Sequence, residues 1–147
     1  MEPLSVIQGP RKGDIFPHHE VRPMNDGDME SANRLCESVY GVARAGELLG
    51  VVMRGEARAV FRNGRMTGYT TGIGFFGHTV AESNDDLKAL ISSAEEIAGP
   101  GMLVPTRNSE LLRWCLDQGL RIQYPATLMA RGGYQPPKGA FLPSILY

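Results

Sequence analysis

The dipeptide Asn63-Gly64 constrains this chain more than any other feature, because it stands between two runs of extended-chain character, Ala57 to Arg62 and Arg65 to Phe75. A two-residue hairpin loop needs positive φ at both central positions, and Asn-Gly adopts that geometry readily. The middle of the sequence therefore predicts an antiparallel hairpin, and the fold must be built around a sheet. The second run carries Gly68, Gly72, Gly74 and Gly77 among Tyr69, Ile73, Phe75 and Phe76, and reads as one strand from Gly68 to Val80. Glycine inside a strand marks a bulge, or a place where another backbone or a ligand comes close.

On both sides of the hairpin the apolar period becomes helical. Met29, Ala32, Leu35, Cys36 and Val39 share one face behind Asp26 and Asp28, and Gly41 supplies a stop. A weaker helix holds Leu48, Leu49, Val52 and Met53, with Gly46 and Gly50 each lowering its propensity by roughly 1 kcal/mol relative to alanine. After the hairpin, Ser83 or Asn84 caps a helix whose stripe is Leu87, Leu90, Ile91, Ala94 and Ile97, closed by Gly99-Pro100-Gly101. A short strand, Met102 to Pro105, precedes a helix with Leu111, Leu112, Cys115 and Leu116 inward and Gly119 as its stop. A strand from Leu120 to about Arg131, broken by Pro125, follows, and the apolar tail Phe141 to Tyr147 is expected to dock as a final strand. The order predicts an α/β (α+β) fold with a mixed central sheet flanked by helices and one parallel crossover. The stretch 1–20, with Gly9-Pro10-Arg11-Lys12-Gly13-Asp14, reads as an extension or linker before a domain at 21–147.

Composition narrows the function classes. A chain of 147 residues that is 42% hydrophobic can close one core without staples. Its 15 basic and 16 acidic residues are dispersed, which argues against nucleic acid or an anionic membrane as partner. The apolar runs are too short to span a bilayer, and no secretory leader pattern is present, so a soluble cytoplasmic protein is expected. Cys36 and Cys115 lie far apart on helical stripes, which suits a reducing compartment. His18, His19 and His78 lack metal-ligand spacing, so no metal is expected. The set Arg54, Arg58, Arg62 and Arg65 reads as a solvated face.

Several segments, in order, resemble the GNAT (GCN5-related N-acetyltransferase) superfamily. Val21-Arg22-Pro23-Met24-Asn25-Asp26-Gly27-Asp28 is similar to its first strand and helix start, and Arg62-Asn63-Gly64-Arg65-Met66-Thr67-Gly68-Tyr69 to its hairpin. Asn108-x-x-Leu111-x-x-Trp114-Cys115-x-x-x-Gly119-Leu120 lies over its late-helix pattern. The run Gly68 to Leu90, Pro105-Thr106-Arg107-Asn108 and the ending Leu142-Pro143-Ser144-Ile145-Leu146-Tyr147 resemble the C-terminal half of bacterial proteins with two GNAT-like domains in tandem. Pro3-Leu4-Ser5-Val6-Ile7 echoes that ending, as the last strand of a preceding domain would.

The resemblance implies acetyl-CoA as acyl donor, seated in a splay between two central strands with its pyrophosphate at a helix start, and N-acyl transfer to an amine. Gly77 and His78, in the loop before that helix, and Asn108 are then the cofactor-binding candidates. Cys115 falls where many members carry the tyrosine that protonates the leaving thiolate; as residues alone it reads equally as core. Glu82 and Glu110 are candidate bases, though acids are expected at helix starts for dipole reasons. The loop lacks the family's basic residue and paired glycines, and Glu82, Asp85 and Asp86 put negative charge where a pyrophosphate would sit. Two functions therefore stand: an acetyl-CoA-dependent acyltransferase, or a non-catalytic GNAT-like scaffold or dimerisation domain that pairs with a copy of itself or with a tandem domain.

Overall fold

The computed structural model of the chain describes residues 1–10 and 13–146; Arg11 and Lys12 of the expected linker and Tyr147 of the tail lie outside the described residues. The Asn63-Gly64 turn forms as its chemistry requires, with φ of 53° and 75°, joining β3 (Arg58–Arg62) to β4 (Arg65–Thr70). An edge strand, β2 (Glu20–Pro23), pairs with β3, and β5 (Thr79–Ala81) with β4. Beyond β5 lies β8 (Ala140–Leu142), so that one five-stranded antiparallel sheet runs β2-β3-β4-β5-β8.

Here the single strand expected from Gly68 to Val80 needs correcting. The chain turns back between Thr71 and His78, with the Thr71 amide donating to the His78 carbonyl at 3.0 Å and the His78 amide to Thr71 Oγ1 at 2.9 Å. Gly77 packs so closely on the Gly72 carbonyl that a Cβ there would overlap it. The glycines expected to mark a bulge thus build a loop, and β5 supplies a strand the sequence reading lacked.

A second sheet holds the larger correction. Glu2–Gln8 is strand β1, and it lies between β6 (Met102–Pro105) and β7 (Arg121–Leu128), antiparallel to both. The start of the expected extension over 1–20 is therefore the middle of a sheet. The cause is burial on both faces: Leu4, Val6 and Ile7 are all buried, and the Gln8 amide donates to the carbonyls of Ile97 and Gly99 at 2.8 and 2.9 Å. The strands β6 and β7 run parallel to each other, as the crossover predicted, but β1 separates them. Instead of one mixed sheet there are two antiparallel ones, with an isolated parallel bridge between Gly74 and Ala98. Pro125 does not interrupt β7; it pairs with Ser5 on an edge strand, where a missing N–H is tolerated.

Four α-helices cover the sheets. A 3-10 turn, Asp26–Asp28, capped by Asn25 with Asp28 closing the box, leads into α1 (Met29–Tyr40), which ends at Gly41 in the left-handed region. Next comes α2 (Ala45–Met53), continuous despite its glycines. Ala59, Tyr69 and Val80, side by side across three strands, join Leu35, Cys36, Val39 and Leu48 in the core under α1 and α2. The neighbouring row, Val60, Gly68 and Ala81, faces the other way, towards α3 (Asn84–Ser93). A Cβ at Gly68 would stand 3.0 Å from Val60 Cγ1 and 3.1 Å from Ala81 Cβ, so a larger residue there would push these neighbours apart by a few tenths of an ångström. Under α3 and α4 (Ser109–Asp117), Ile7, Met102 and Val104 pack with Leu87, Ile91, Leu111 and Cys115. Of the expected α3 stripe, Ala94 and Ile97 lie past the helix end, yet Ile97 is still buried and Ala94 packs against the core. Among the described residues no helix is long and apolar enough to cross a membrane.

Candidate functional site

Two cavities lie at opposite ends of β8. The first, of about 610 Å³, is walled by α2 (Glu47, Gly50), the 71–77 loop and Leu146. The second, of about 400 Å³, sits at the starts of α3 and α4 among Glu2, Asn84, Arg107, Asn108 and Phe141. Gly77 lines the first and Asn108 the second, so the structure does not bring the cofactor candidates together.

His78, next in the chain to the lining residue Gly77, does not line the cavity itself, and its ring is fully buried. The imidazole Nε2 lies 2.9 Å from the Tyr69 hydroxyl and Nδ1 3.2 Å from Glu47 Oε1. Burial drives the imidazole down to about 3, helped by the nearby charge of Arg44, so it is neutral. A neutral ring satisfies both contacts when Nδ1–H donates to Glu47 and the Tyr69 hydroxyl donates to Nε2. Burial also raises the Glu47 carboxyl above its ordinary range, with Arg44 opposing. The result is a Glu47–His78–Tyr69 chain beneath the cavity. Its His78 was legible as a candidate, whereas Glu47 was not, because nothing local pairs it with a residue 31 positions away.

At the second cavity the start of α3 is closed upon itself. Ser83 Oγ accepts from the Asp86 amide at 3.3 Å and donates to Asp86 Oδ2 at 2.7 Å. Asp86 has no exposure, and takes further bonds from Thr67 Oγ1 at 2.7 Å and from Arg62 at 3.0 and 3.3 Å. Arg65 meets Glu82 at 2.6 Å. Arg62 is thus the partly buried partner of Asp86, which corrects the expected solvated face at that position; Arg65 stays exposed while pairing with Glu82, and Arg54 pairs with Glu56 on the surface. Asn84 and Asn108 exchange reciprocal side-chain bonds of 2.9 and 2.7 Å, and Asn108 Oδ1 caps α4 through the Leu111 amide at 3.4 Å. Glu110 is held below the usual carboxylate range by bonds from Lys88 and Asn84, which leaves it poorly suited to take a proton.

Cys115 lies in the core with no exposure, and burial pushes its thiol up to about 12. Trp114 Nε1 donates to Asp14 at 3.2 Å, and Phe75 and Phe76 meet edge to face with centroids 5.5 Å apart. Among the described residues no group of three or more His, Cys, Asp or Glu side chains is arranged to hold a metal.

Between the cavities runs β8. It pairs with the free edge of β5, Thr79 to Leu142, Val80 to Phe141 and Ala81 to Ala140, and packs against β6 on its other side. Ala140, Phe141 and Leu142 are buried, the Ser144 hydroxyl donates to the Phe76 carbonyl at 2.9 Å, and the Ile145 amide to that of Phe75 at 3.0 Å. The expected docking of the tail is therefore seen for 140–145, while Ile145 and Leu146 stay half exposed at the rim.

This architecture has a counterpart among solved structures. The crystal structure of a "putative acetyltransferase" from Pyrococcus horikoshii superposes with a TM-score of 0.62 at 12% identity, over 85% of this chain and 43% of that one. The chain shares the fold of that structure. The likeness agrees with the mixed α/β architecture of helices on antiparallel sheets, and identity this low speaks for the fold alone. The chain spans less than half the length of that neighbour. No family model matches the sequence. No curated protein matches it either.

Proposed function

We propose that this chain is a GNAT-like domain that does not itself transfer acyl groups and serves as an accessory or pairing module. The observation that carries this reading is the seat of β8. In the GNAT architecture the acyl donor's arm lies in the splay between two central strands, and the strands flanking α3 here are β5 and β6. Ala140–Leu142 takes up the β5 edge and packs against β6, so a donor arm would find its main-chain partners already used. The start of α3 adds to this: a buried carboxylate, Asp86, takes the Ser83, Thr67 and Arg62 donors, and Glu82 stands beside it with Arg65. A diphosphate brought there would meet these acids rather than free cations.

The position of β1 supports a pairing role. A strand that enters the sheet from a separate N-terminal segment, between β6 and β7, is what a preceding domain would contribute in a tandem protein. The enzymic alternative, N-acyl transfer from acetyl-CoA, draws on the acetyltransferase name of the structural neighbour and on the cavity beside Glu47. Calorimetric titration of acetyl-CoA into the purified chain decides between them. The accessory reading expects no binding heat at millimolar ligand; saturable one-to-one binding would sink it.

A further inference from the structure

We propose that the second cavity is a binding site for a small zwitterion, an apolar α-amino acid, whose ammonium is taken by Glu2 and whose carboxylate is taken by Arg107. The inference goes beyond the accessory reading, since it concerns a ligand that the domain holds and asks nothing of an acyl donor.

A buried carboxylate carries it. Glu2 opens β1 with a side chain only 6% exposed, yet its Oε2 has no hydrogen-bond partner among the described residues. An ionised oxygen taken out of water without a donor is costly, and native folds leave few such atoms. The ion-pair partner of Glu2 is Arg107, whose Nη1 stands 3.6 Å from Oε2, too far for a hydrogen bond, on a side chain that is 65% exposed. The Tyr134 hydroxyl is a second buried atom without a partner among the described residues. Burial, and then the charge of Glu2, raise that hydroxyl above its ordinary range, which sets the two groups in one neighbourhood.

The acid is fixed while the cation is not. At the turn after β6 the Thr106 amide donates to the Pro3 carbonyl at 2.9 Å, and the Ser5 and Thr106 hydroxyls share a hydrogen bond of 2.9 Å. Glu2 is thus pinned by the register of β1, whereas the exposed arm of Arg107 can turn aside for a ligand.

The rest of the cavity decides what fits. Its other polar side chains are engaged, Asn84 with Asn108, Glu82 with Arg65, and Ser83 with Asp86. What remains is a carboxylate oxygen that needs an N–H donor and a guanidinium that can take an anion once an ammonium replaces it at Glu2. Their 3.6 Å separation suits a ligand whose opposite charges are borne on one carbon, as in an α-amino acid. A diphosphate would bring its charge against Glu2 itself. Pro105, Pro136, Pro137 and Phe141 supply apolar walls for the ligand's side chain. The volume of about 400 Å³ falls within the roughly 300–1,000 Å³ of small-molecule sites.

Titration calorimetry and thermal unfolding of the full chain test this, with L-leucine, L-methionine and L-phenylalanine as probes at up to ~10 mM, which covers the weak end of the affinity scale. Saturable one-to-one binding of at least one of them, with a matching rise in Tm, is expected. The amide of the tightest probe lacks the carboxylate, and its N-acetyl derivative lacks the ammonium. Each should bind about tenfold or more weakly than the parent, through loss of a charge-assisted hydrogen bond. Two variants then give a pattern that a merely structural change would not. Arg107→Ala, at an exposed position, should bring the amino acid down to the affinity of its amide and leave the amide unaffected; Glu2→Gln should bring it down to that of the N-acetyl derivative. Arg107→Ala decides alone should Glu2→Gln unfold the chain. No heat and no Tm shift with any of the three probes overturn the proposal, as does an amide that binds as tightly as its parent, or amino-acid binding that Arg107→Ala leaves unchanged.

Discussion

Replacing Ile7 and Ile15 in turn by alanine tests whether the N-terminal stretch is a sheet interior or a tether. Both residues lie within the first twenty positions and are chemically identical, but Ile7 has no exposure and Ile15 is 92% exposed. Ile7→Ala removes the equivalent of about three buried methylenes, about 0.8 kcal/mol each by transfer. The cavity left behind adds to this, because Met102, Leu120 and Val104 are held by their own strands and helix and cannot collapse fully onto it. The expected loss is about 3–4 kcal/mol, within the range of about 2–5 found for such truncations. For a domain of this size that lowers Tm by about 10 °C. Ile15→Ala should change stability by less than about 0.5 kcal/mol. Urea unfolding followed by tryptophan fluorescence measures both, with the slope m unchanged if only native packing is altered. Equal, small effects at the two sites would refute the placement of β1 between β6 and β7, and restore the linker reading for the whole stretch.

Three further outcomes follow from buried groups. Asp86→Asn leaves the Arg62, Thr67 and Ser83 donors competing for a neutral amide and should cost about 1–3 kcal/mol in the same urea assay. A thiol-alkylating reagent at pH 8 should leave Cys115 unmodified in the native chain and modify it fully in denaturant, since a buried thiol pushed up to about 12 holds its proton there. His78 is neutral in the fold down to about pH 3, while in the unfolded chain it binds a proton below about 6.5. The unfolded state therefore holds more protons in that window, and stability falls as pH drops from about 6.5 towards 3, by at most about 1.4 kcal/mol per pH unit. His78→Gln should flatten this slope relative to the unaltered chain; an unchanged slope would mean that the imidazole titrates freely.

What the sequence made legible was local. The Asn63-Gly64 turn, the α1 face of Leu35, Cys36 and Val39, and the Asn108 cap of α4 each rest on residues within a few positions of one another, and each formed as expected. What it hid depended on distant partners. A five-residue run such as Pro3-Leu4-Ser5-Val6-Ile7 has no period that separates a docked strand from a tether segment; its role comes from β6 and β7, about a hundred residues away in sequence. The glycines of the 71–77 loop were noticed, but a strand bulge and a tight return use the same residue type, and only the Gly72–Gly77 packing distinguishes them. Arg62 looked solvated because the buried acid that takes it up, Asp86, sits beyond an intervening loop and strand.

The candidate site shows the same division in a form that bears on function. Gly77, His78 and Asn108 are the cofactor candidates that the resemblance implied; Gly77 and Asn108 each line a cavity, and His78 is buried beside Gly77. They are nevertheless divided between two cavities, because the strand that intervenes comes from the far end of the chain. Whether a splay between strands is open or filled is decided by topology, and no residue type within β5 or β6 records it. The chemistry points the same way. Beside the first cavity stand a fully buried neutral imidazole and the partly buried Glu47 carboxyl, raised by desolvation. At the second, the acids are tied to Arg62, Arg65 and Lys88, leaving little charge with which to receive a diphosphate.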